Sequence, residues 1–449
     1  MNEEFVSNVT NTAIVVLGAT GDLAKRKLVP ALIELYNLGK IEPSTVIIGE
    51  GRHDLSLEDF RSKFQLPQEV IEKFYYHQGI KGLKQYIEDM KTVNNIVFFL
   101  ALPPNVYGDT VRELSEEGFK ENCRIIIEKP FGYDYESACR LGATIHNYFE
   151  EEQIFRIDHY LAKEAVQNIL IFRFANFLFS QIWSNNYIDS IQINAFEQIG
   201  IENRAGYFDK SGIIRDMVQN HLFQLLSLLT MEAPVDISPE EIKHQKLNVL
   251  KSIRVKKCAK YQYKGYLSEP GVAKDSTTPT YVELKLAIDN FRWSGVDIFI
   301  RTGKALDRKG TEIGVVFKKL PRILYNKNDE MEPNKIIIKI QPEAGIIIDL
   351  ETKIPGGDVK ITTTNLSFCY KDSFDSEVSE AYQKLLLDAL KGDKTLFVSE
   401  DEVEAAWHKL DPIIKDTKEL KYYEKGVTPP SKFCNEWINF AAYEPKCKA

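Results

Sequence analysis

The segment Ile14-Val-Val-Leu17-Gly18-Ala-Thr-Gly21-Asp-Leu-Ala24 joins a continuous apolar run to a glycine-rich turn. An unbroken apolar run is typical of a strand that is buried on both faces of a parallel sheet. After the turn, apolar residues recur at helical spacing, at Leu28, Leu32, Leu35 and Tyr36. A strand, a glycine-rich turn and a helix in this order predict a dinucleotide-binding βα unit.

The small residues of this turn have distinct expected roles. Gly18 would permit the tight turn, and Gly21 would let the backbone approach a pyrophosphate. Ala24 would keep the helix close to the sheet, where a third glycine commonly lies. The spacing is G-x-x-G-x-x-A rather than G-x-G-x-x-G, so a plain glycine-rich turn is the alternative interpretation.

The rest of the chain shows two patterns. Apolar strands at 46–48, 95–102 and 124–128 alternate with helical segments up to about residue 153. Beyond it, helices precede strands with period-2 alternation, at 191–196, 281–288, 296–300, 314–317, 335–340 and 346–349, and the last helices are expected at 377–390 and 400–408. We therefore predict an α/β Rossmann-type dinucleotide-binding domain over residues 1–153, followed by an α+β domain with a large, mostly antiparallel sheet over residues 154–449.

The end of the strand at 46–48 bears on the choice of dinucleotide. An acid at this point binds the ribose 2′-hydroxyl, whereas an arginine accommodates a 2′-phosphate. Glu50 and Arg52 are both present. We predict NADP because of Arg52, with NAD as the alternative because Glu50 would repel a 2′-phosphate if it faced the same site.

Composition limits the classes of function. The chain has 449 residues and a formal net charge of −8, and no basic stripe supports a nucleic-acid partner. No apolar run of roughly 18 residues predicts a membrane span. The acidic, polar start of the chain is unlike a targeting peptide, so we expect a cytoplasmic protein. Free thiols and no metal site are expected from the scattered cysteines Cys123, Cys139, Cys258, Cys369, Cys434 and Cys447.

A further informative segment is Phe155-Arg-Ile-Asp-His-Tyr-Leu-Ala-Lys-Glu164. Alternating apolar residues at 154–157 predict a short strand, and residues 161–174 have apolar positions at helical spacing. The polar residues between them are therefore expected at a strand-to-helix junction, with Lys163 about one turn into the helix. Backbone N–H groups at a helix start, together with an imidazole, a phenol and an ammonium, would bind a phosphate.

Each residue of this junction also has a purely structural interpretation. Taken singly, Asp158 is explained as a helix N-cap, His159 as a satisfied surface residue and Lys163 as a solvated helix charge. The hypothesis of a phosphate site therefore depends on their combination with Tyr160 and with motifs elsewhere in the chain.

The decapeptide 155–164 is similar to the signature of glucose-6-phosphate dehydrogenases, and the chain is identified as a member of that family. The resemblance recurs over nearly the whole sequence, at 18–27, 128–132, 197–209, 214–226, 300–304 and 381–412. It implies oxidation of the C1 hydroxyl of β-D-glucose 6-phosphate to 6-phosphogluconolactone with hydride transfer to NADP. This reaction is the first step of the oxidative pentose phosphate pathway.

The resemblance implies that His221, in the run Arg-Asp-x-x-Gln-Asn-His, is the catalytic base. Oxidation of an alcohol needs a base near neutral pKa, and a carboxylate behind the imidazole stabilises its protonated form. Asp216 and His221 would lie about 140° apart around a single α-helix that begins at Gly212. We therefore expect Asp158 to orient His221. On spacing alone, His221 is equally explained as a core histidine of an amphipathic helix.

The resemblance also implies the ligand contacts. The substrate is expected at His159, Tyr160, Lys163, Glu197, Asp216, Lys304, Lys129 and Lys27. The cofactor is expected at Gly18, Thr20, Gly21, Asp22, Leu23, Arg52, Tyr107 and Lys129, and the Lys129–Pro130 bond is a candidate for cis. Without the resemblance, Pro103-Pro104 before Tyr107 simply ends a strand, and Lys304 is a solvated loop residue.

Two other interpretations stay open at this point. One is a sugar oxidoreductase of the Gfo/Idh/MocA type, which also carries Glu-Lys-Pro after a Rossmann strand. The other is a catalytically silent homologue that binds NADP and a sugar phosphate as a sensor. The family resemblance and the large second sheet imply a homodimer. The small molecule expected to bind each chain is the substrate glucose 6-phosphate.

Overall fold

The computed structural model describes residues 11–64, 66–321, 323–326, 331–357, 359–373, 380–416 and 420–445. These residues form two compact units. The first unit contains the described residues of 1–162, 234–244 and 379–404, and the second those of 163–233, 245–378 and 405–449. The chain thus leaves the first unit and returns to it twice.

In the described part of the chain, the strands are β1 (Thr12–Leu17), β2 (Val46–Gly51), β3 (Phe74–Gln78), β4 (Asn95–Leu100), β5 (Cys123–Ile127), β6 (Ile154–Ile157), β7 (Ile188–Phe196), β8 (Ile253–Tyr263), β9 (Tyr281–Ile288), β10 (Asp297–Gly303), β11 (Gly310–Phe317), β12 (Lys335–Gln341), β13 (Gly345–Lys353), β14 (Ile361–Cys369), β15 (Phe397–Val398) and β16 (Lys421–Tyr423).

The α-helices are α1 (Val29–Asn37), α2 (Leu57–Ser62), α3 (Gln68–Ile71), α4 (Leu83–Asp89), α5 (Tyr107–Glu116), α6 (Tyr135–His146), α7 (Glu164–Phe174), α8 (Phe177–Ile182), α9 (Ala205–Ile213), α10 (Phe223–Thr230), α11 (Pro239–Ser252), α12 (Tyr370–Ser373), α13 (Ala381–Lys391) and α14 (Glu400–Lys415). Two wider π-helical segments, Ala24–Leu28 and Ile214–Leu222, run directly into α1 and α10.

The first unit is built on a seven-stranded sheet with the order β15-β6-β5-β4-β1-β2-β3. β1 to β6 are parallel, and every residue of β1 is buried, as expected for a central strand covered on both faces. β1 lies between β2 and β4, so the carboxyl ends of these strands meet where the glycine-rich turn begins. This is the ligand-binding edge of a doubly wound sheet, and the Rossmann-type prediction is confirmed.

The predicted boundary at residue 153 needs a correction. β6 is a strand of the first sheet because it pairs in parallel with β5, from Ile125 opposite Ile154 to Ile127 opposite Arg156. The first unit therefore continues to residue 162. It also includes a late segment, because β15 pairs antiparallel with β6. A continuous second domain over 154–449 is thus not what the structure shows.

The second unit is built on a nine-stranded sheet with the order β14-β13-β12-β11-β7-β10-β9-β8-β16. β10 with β7 and β16 with β8 are parallel pairs, and the remaining neighbours are antiparallel. The prediction of a large, mostly antiparallel sheet is confirmed. β14 was not predicted from the sequence because most of its residues are exposed on both faces, so the strand carries no apolar alternation.

Cysteine chemistry differs from the expectation at one position. Cys123, Cys139, Cys258 and Cys434 are free thiols, as expected. Cys369 is in a disulfide bond, so the prediction of a free thiol is wrong there, and Cys447 lies outside the described residues. Spacing in the sequence does not reveal such a bond, since it depends on which side chains the sheet brings together.

None of the helices in the described ranges is long and apolar enough to cross a lipid bilayer.

Residues 380–404 are held on the first sheet by a charge cluster around the buried Arg156. Arg156 on β6 is 3% exposed, and its Nη1 lies 2.8 and 2.7 Å from the two carboxylate oxygens of Glu151. Its Nη2 lies 3.4 Å from Glu400 at the start of α14. His146 contacts the same two carboxylates, at 3.1 Å from Glu151 and 2.8 Å from Glu400. The cluster therefore ties the start of α14 to the edge of the sheet.

Replacing Arg156 by Met should destabilise the first unit by about 3–5 kcal/mol, because two carboxylates lose their buried cation. Urea unfolding followed by circular dichroism measures this loss. Arg140→Met is the matched control, since the Arg140 side chain is 58% exposed where it pairs with Glu136, and it should cost less than about 1 kcal/mol. Equal losses in the two variants would show that the charge cluster does not hold the segment.

Candidate active site

The glycine-rich turn after β1 has the geometry that a dinucleotide phosphate needs. Gly18 has a φ of 82°, and a Cβ added there would lie 2.7 Å from the carbonyl oxygen of Ala101. Both its positive φ and its close backbone contact therefore require glycine. The Gly21 N–H donates to the Gly18 carbonyl at 2.9 Å, which closes the turn. The backbone is thus left without side chains where it would approach a pyrophosphate.

Glu50, at the end of β2, is engaged by this turn. Its carbonyl accepts hydrogen bonds from the N–H groups of Gly18 and Ala19, and its carboxylate Oε2 accepts from Gly18 N at 3.2 Å. The side chain is buried, and burial raises the pKa of its carboxyl. Arg52, in contrast, is exposed. Glu50 therefore faces the glycine-rich turn, whereas Arg52 presents an exposed cation just after β2.

The helix after the turn begins as a wide π-helical segment at Ala24 and continues as α1. Asp22, just before it, forms an exposed ion pair with Arg26 at 2.8 Å, while Thr20 and Leu23 are half-buried. Lys27 lies 3.6 Å from Glu380 in another exposed pair. The Asp22 carboxylate and the Lys27 ammonium are therefore both accessible to solvent. Exposed ion pairs of this kind contribute little free energy, so either group could exchange its partner for a ligand.

Two more candidates of the first unit follow β4 and β5. Tyr107 begins α5 and is 1% exposed, so its ring is part of the core. Lys129 directly follows Glu128 at the carboxyl end of β5, and the Lys129–Pro130 peptide bond is cis, as the family resemblance suggested.

Glu128 is a residue that the sequence analysis passed over. One of its carboxylate oxygens is buried and has no hydrogen-bond partner among the described residues. Burial raises its pKa to about 7, although the Tyr382 hydroxyl and the Lys129 ammonium act in the opposite direction. The burial of this oxygen could not be predicted, because in the sequence Glu128 is only the polar residue that ends a strand.

Asp158 forms a tight turn after β6 and does not cap the helix. Its Oδ1 accepts from Tyr160 N at 3.0 Å, and its carbonyl accepts from Leu161 N at 3.0 Å. Because this turn fixes residues 158–161, α7 begins only at Glu164, and Lys163 occupies its N-cap position. The expectation that Lys163 lies one turn into the helix is therefore wrong. His159 is half-buried beside the buried Tyr160, with ring centroids 5.2 Å apart.

In the second unit, Lys304, Glu197 and Asp216 form one polar cluster. β7 and β10 are parallel with Phe196 opposite Gly303, so the residues that follow them emerge at the same sheet edge. Lys304 Nζ lies 2.5 Å from Glu197 Oε2 and 3.7 Å from Asp216 Oδ2. Lys304 is 4% exposed, so the interpretation of a solvated loop residue is wrong.

Tyr207 joins this cluster and was not found from the sequence. Burial and, after it, the negative charge of Asp216, with which its hydroxyl shares a hydrogen bond, raise its pKa to about 12. The phenol therefore stays protonated and donates to the carboxylate. A tyrosine in an ordinary helical pattern carries no signal for this role, because the contact depends on how α9 continues into the next segment.

That next segment corrects the winding of the predicted helix. Gly212 has a φ of 66° and a ψ of 169°, so the helical backbone is interrupted at Gly212 inside α9, and the helix predicted to begin there continues from residue 213 through α10. The segment Ile214–Leu222 is then π-helical, and Phe223 N donates to the carbonyl of Val218, five residues earlier. The break requires glycine because of its positive φ.

The π-helical winding changes the relation between Asp216 and His221. With about 4.4 residues per turn, positions five apart lie only about 50° apart around the axis. The expected 140° separation is therefore wrong, since it assumed α-helical geometry. Asp216 and His221 share one face, and both are buried, at 3% and 1% exposed. A spacing of five residues separates two side chains on an α-helix, but it brings them to the same face of a π-helix.

The raised pKa of Glu128 predicts a pH-dependent effect of Glu128→Gln. The unfolded carboxyl ionises near pH 4.5 and the folded one near 7, so the wild type loses stability as pH rises between these values. Glutamine cannot ionise, so the variant should gain on the order of 2 kcal/mol over the wild type at pH 8 and almost nothing at pH 4.5. Unfolding free energies of the ligand-free protein at both pH values measure this. The exposed Glu121→Gln is the control, and a gain independent of pH would contradict the assignment.

Comparison with known proteins places these features in one family. The family description "Glucose-6-phosphate dehydrogenase, NAD binding domain" matches residues 15–168. The description "Glucose-6-phosphate dehydrogenase, C-terminal domain" matches residues 170–439. The two matched regions meet within α7.

Individual relatives agree with this assignment. The chain is 41% identical to glucose-6-phosphate 1-dehydrogenase of Bacillus subtilis, over 93% of this chain and 95% of the relative. It is 38% identical to glucose-6-phosphate 1-dehydrogenase of Aggregatibacter actinomycetemcomitans, over 94% of each.

Solved structures show the same likeness in three dimensions. A glucose-6-phosphate dehydrogenase in complex with its substrate glucose 6-phosphate superposes with a TM-score of 0.89 at 36% identity, covering 94% of this chain and 96% of that one. The enzyme from Mycobacterium avium gives a TM-score of 0.84 at 32% identity, covering 93% and 94%. A 3-ketoreductase from Actinomadura kijaniata shares only the fold, at 12% identity. The chain belongs to the glucose-6-phosphate dehydrogenase family.

Proposed function

We propose that this chain oxidises β-D-glucose 6-phosphate at C1 to 6-phosphogluconolactone and uses NADP as the hydride acceptor. Membership of the family supports the reaction. The observation that carries the proposal is the π-helical segment Ile214–Leu222, which aligns Asp216 with His221 on one buried face beside Lys304. A base, an acceptor for sugar hydroxyls and a cation are thereby available within one unit.

His221 is the proposed general base. It accepts the proton of the C1 hydroxyl while C1 loses hydride to the oxidised nicotinamide, so the two electrons leave with the hydride and the proton remains on the protein. Asp158 is the carboxylate that we propose to orient the imidazole and stabilise its protonated form. The NADP supplies only the hydride acceptor.

The remaining candidates divide by the part of the substrate that they would hold. His159, Tyr160 and Lys163 are the proposed phosphate ligands, at the turn that precedes α7. Glu197 and Asp216 would accept hydrogen bonds from sugar hydroxyls, and Lys304, which now neutralises both carboxylates, would donate to the sugar. Lys129 and Lys27 are proposed as further substrate contacts, with Lys129 shared with the cofactor.

The cofactor contacts are proposed around the glycine-rich turn. The turn fits a pyrophosphate because Gly18 admits no Cβ and the following helix begins at Ala24. Thr20, Gly21, Asp22 and Leu23 complete this turn. Tyr107 is proposed to support the nicotinamide half through its position at the start of α5.

We propose a homodimer in the cytoplasm as the working form of the enzyme. The sheet of the second unit leaves the outer strand β14 exposed along most of its length, with Leu366 62% exposed. Leu350 on the neighbouring strand is also exposed, at 38%. Such an edge needs a covering partner to avoid open-ended pairing.

The base is tested with His221→Asn. Asparagine keeps a polar side chain but cannot take up the proton, so kcat should fall by about 10²–10⁴-fold while KM for glucose 6-phosphate changes little. Initial rates of nicotinamide reduction measure both constants. His244→Asn on the exposed face of α11 is the control and should leave kcat unchanged.

The same assay decides between the proposed function and its alternatives. Near-normal kcat in His221→Asn would remove this residue from the mechanism. Absence of wild-type turnover with intact NADP binding would favour a sensor, and turnover of unphosphorylated sugars would favour a Gfo/Idh/MocA-type enzyme.

Arg52→Ala tests the cofactor preference. Loss of the guanidinium should lower kcat/KM for NADP by about ten- to a hundredfold and leave the value for NAD nearly unchanged, because only NADP carries a 2′-phosphate. Lys63→Ala, which removes an exposed cation after α2, is the control. Equal losses with both dinucleotides would show that Arg52 does not read the 2′-phosphate.

A further inference from the structure

A lysine-lined cavity of about 620 Å³ lies at the edge of the second sheet, where β8 meets β16. This volume is within the range of small-molecule sites, roughly 300–1,000 Å³. Five lysines line it: Lys256, Lys257, Lys260, Lys421 and Lys432. The only carboxylate among its described lining residues is that of Asp416. The cavity is thus strongly positive on a chain whose net charge is −8.

A β-bulge in β8 brings two consecutive lysines to the cavity. The register with β9 shifts between Val255 and Lys257, so Lys256 is an extra residue and both lysines are exposed. The shift also places Lys257 directly opposite Lys285 on β9. Like charges opposite one another destabilise a sheet, and here Asp297 offsets this repulsion by pairing with Lys285. Bulges commonly re-aim side chains beside functional sites.

Neighbouring carboxylates neutralise only part of this charge. Asp297 accepts from Lys256 at 3.2 Å and from Lys285 at 2.5 Å. No ion pair joins Lys257 or Lys421 to a carboxylate in the described ranges. Cys258 also lines the cavity, but burial raises the pKa of its thiol to about 11, so it adds no negative charge.

The opposite wall is held in place by a buried glutamate. Glu283 on β9 is 0% exposed, and its carboxylate accepts from Lys432 N at 2.8 Å and from Phe433 N at 3.1 Å. The Ser431 hydroxyl donates to the same carboxylate. Lys432 and Phe433 are therefore positioned by a fixed backbone, and the Phe433 ring lies 5.8 Å from the Lys257 ammonium. The site is preformed on both sides.

We propose that this cavity binds a compact oligophosphate, that is, a small molecule with two or more linked phosphate groups. Ammonium groups bind phosphates as point charges, and linked phosphates present several anionic oxygens to several lysines at once. The Phe433 ring at the rim offers a stacking surface for an aromatic base. The ligand is therefore either a nucleoside polyphosphate or an inorganic polyphosphate.

Inorganic tripolyphosphate is the probe, titrated by calorimetry into protein whose dinucleotide site is saturated with NADP. Saturable binding of one equivalent is expected, and the Lys257→Gln/Lys421→Gln double variant should bind at least about tenfold more weakly. Lys318→Gln/Lys371→Gln, with the same change in charge at exposed positions of the same unit, should bind like the wild type. Lys257→Arg/Lys421→Arg should retain binding.

Two results would overturn the proposal: no saturable binding to the wild type, or equal weakening in the two glutamine double variants. If circular dichroism shows that Lys257→Gln/Lys421→Gln is misfolded, the single variant Lys257→Gln carries the same test with a several-fold loss. ATP titrated under the same conditions separates the sources. If ATP binds more tightly than tripolyphosphate, and Phe433→Leu removes this difference, the natural ligand is a nucleoside polyphosphate. If ATP and tripolyphosphate bind with equal affinity, the ligand is an inorganic polyphosphate.

Discussion

The π-helical winding of Ile214–Leu222 is the constraint on which the polar face of the second unit depends. An α-helix would turn Asp216 and His221 away from one another, whereas the wider turn aligns them. The non-helical backbone at Gly212 separates this segment from the preceding helical turns of α9. Such windings are rare and sacrifice regular backbone hydrogen bonding, so their persistence at a buried polar face indicates a functional role.

Two charge clusters of this protein each place a buried cation between two carboxylates. Lys304 lies between the carboxylates of Glu197 and Asp216, and Arg156 lies between those of Glu151 and Glu400. The two clusters differ in what surrounds them. The first lies at the carboxyl ends of parallel strands, where ligands bind α/β sheets, and the second joins two structural elements. A substrate bound at the first cluster, as we propose, would exchange one set of hydrogen bonds for another without exposing an unpaired charge.

Sequence reasoning was most successful where pattern and local chemistry coincide. β9 was located residue for residue, and β1 was located except for its first two residues, because each has an unambiguous apolar pattern. It failed where the answer depends on tertiary contacts. Nothing in the local sequence distinguishes an α-helix from a π-helix at Asp216, shows that a carboxylate oxygen of Glu128 is buried, or indicates that β15 pairs with the first sheet. The family resemblance supplied most of the candidate residues, and the structure supplied the reason why Lys304 and Glu197 meet.

The return of residues 380–404 to the first unit has a consequence for how the protein is made. Leu385, Leu386 and Phe397 belong to the same hydrophobic core as Ile14 and Leu32. A nascent chain that has just left the ribosome with its first 162 residues therefore lacks part of its core and one strand of its sheet. It must wait for most of the polypeptide to be synthesised before these distant contacts close. Contacts so far apart in sequence slow folding and leave apolar surface exposed meanwhile, which makes the amino-terminal half a natural client for chaperones during translation.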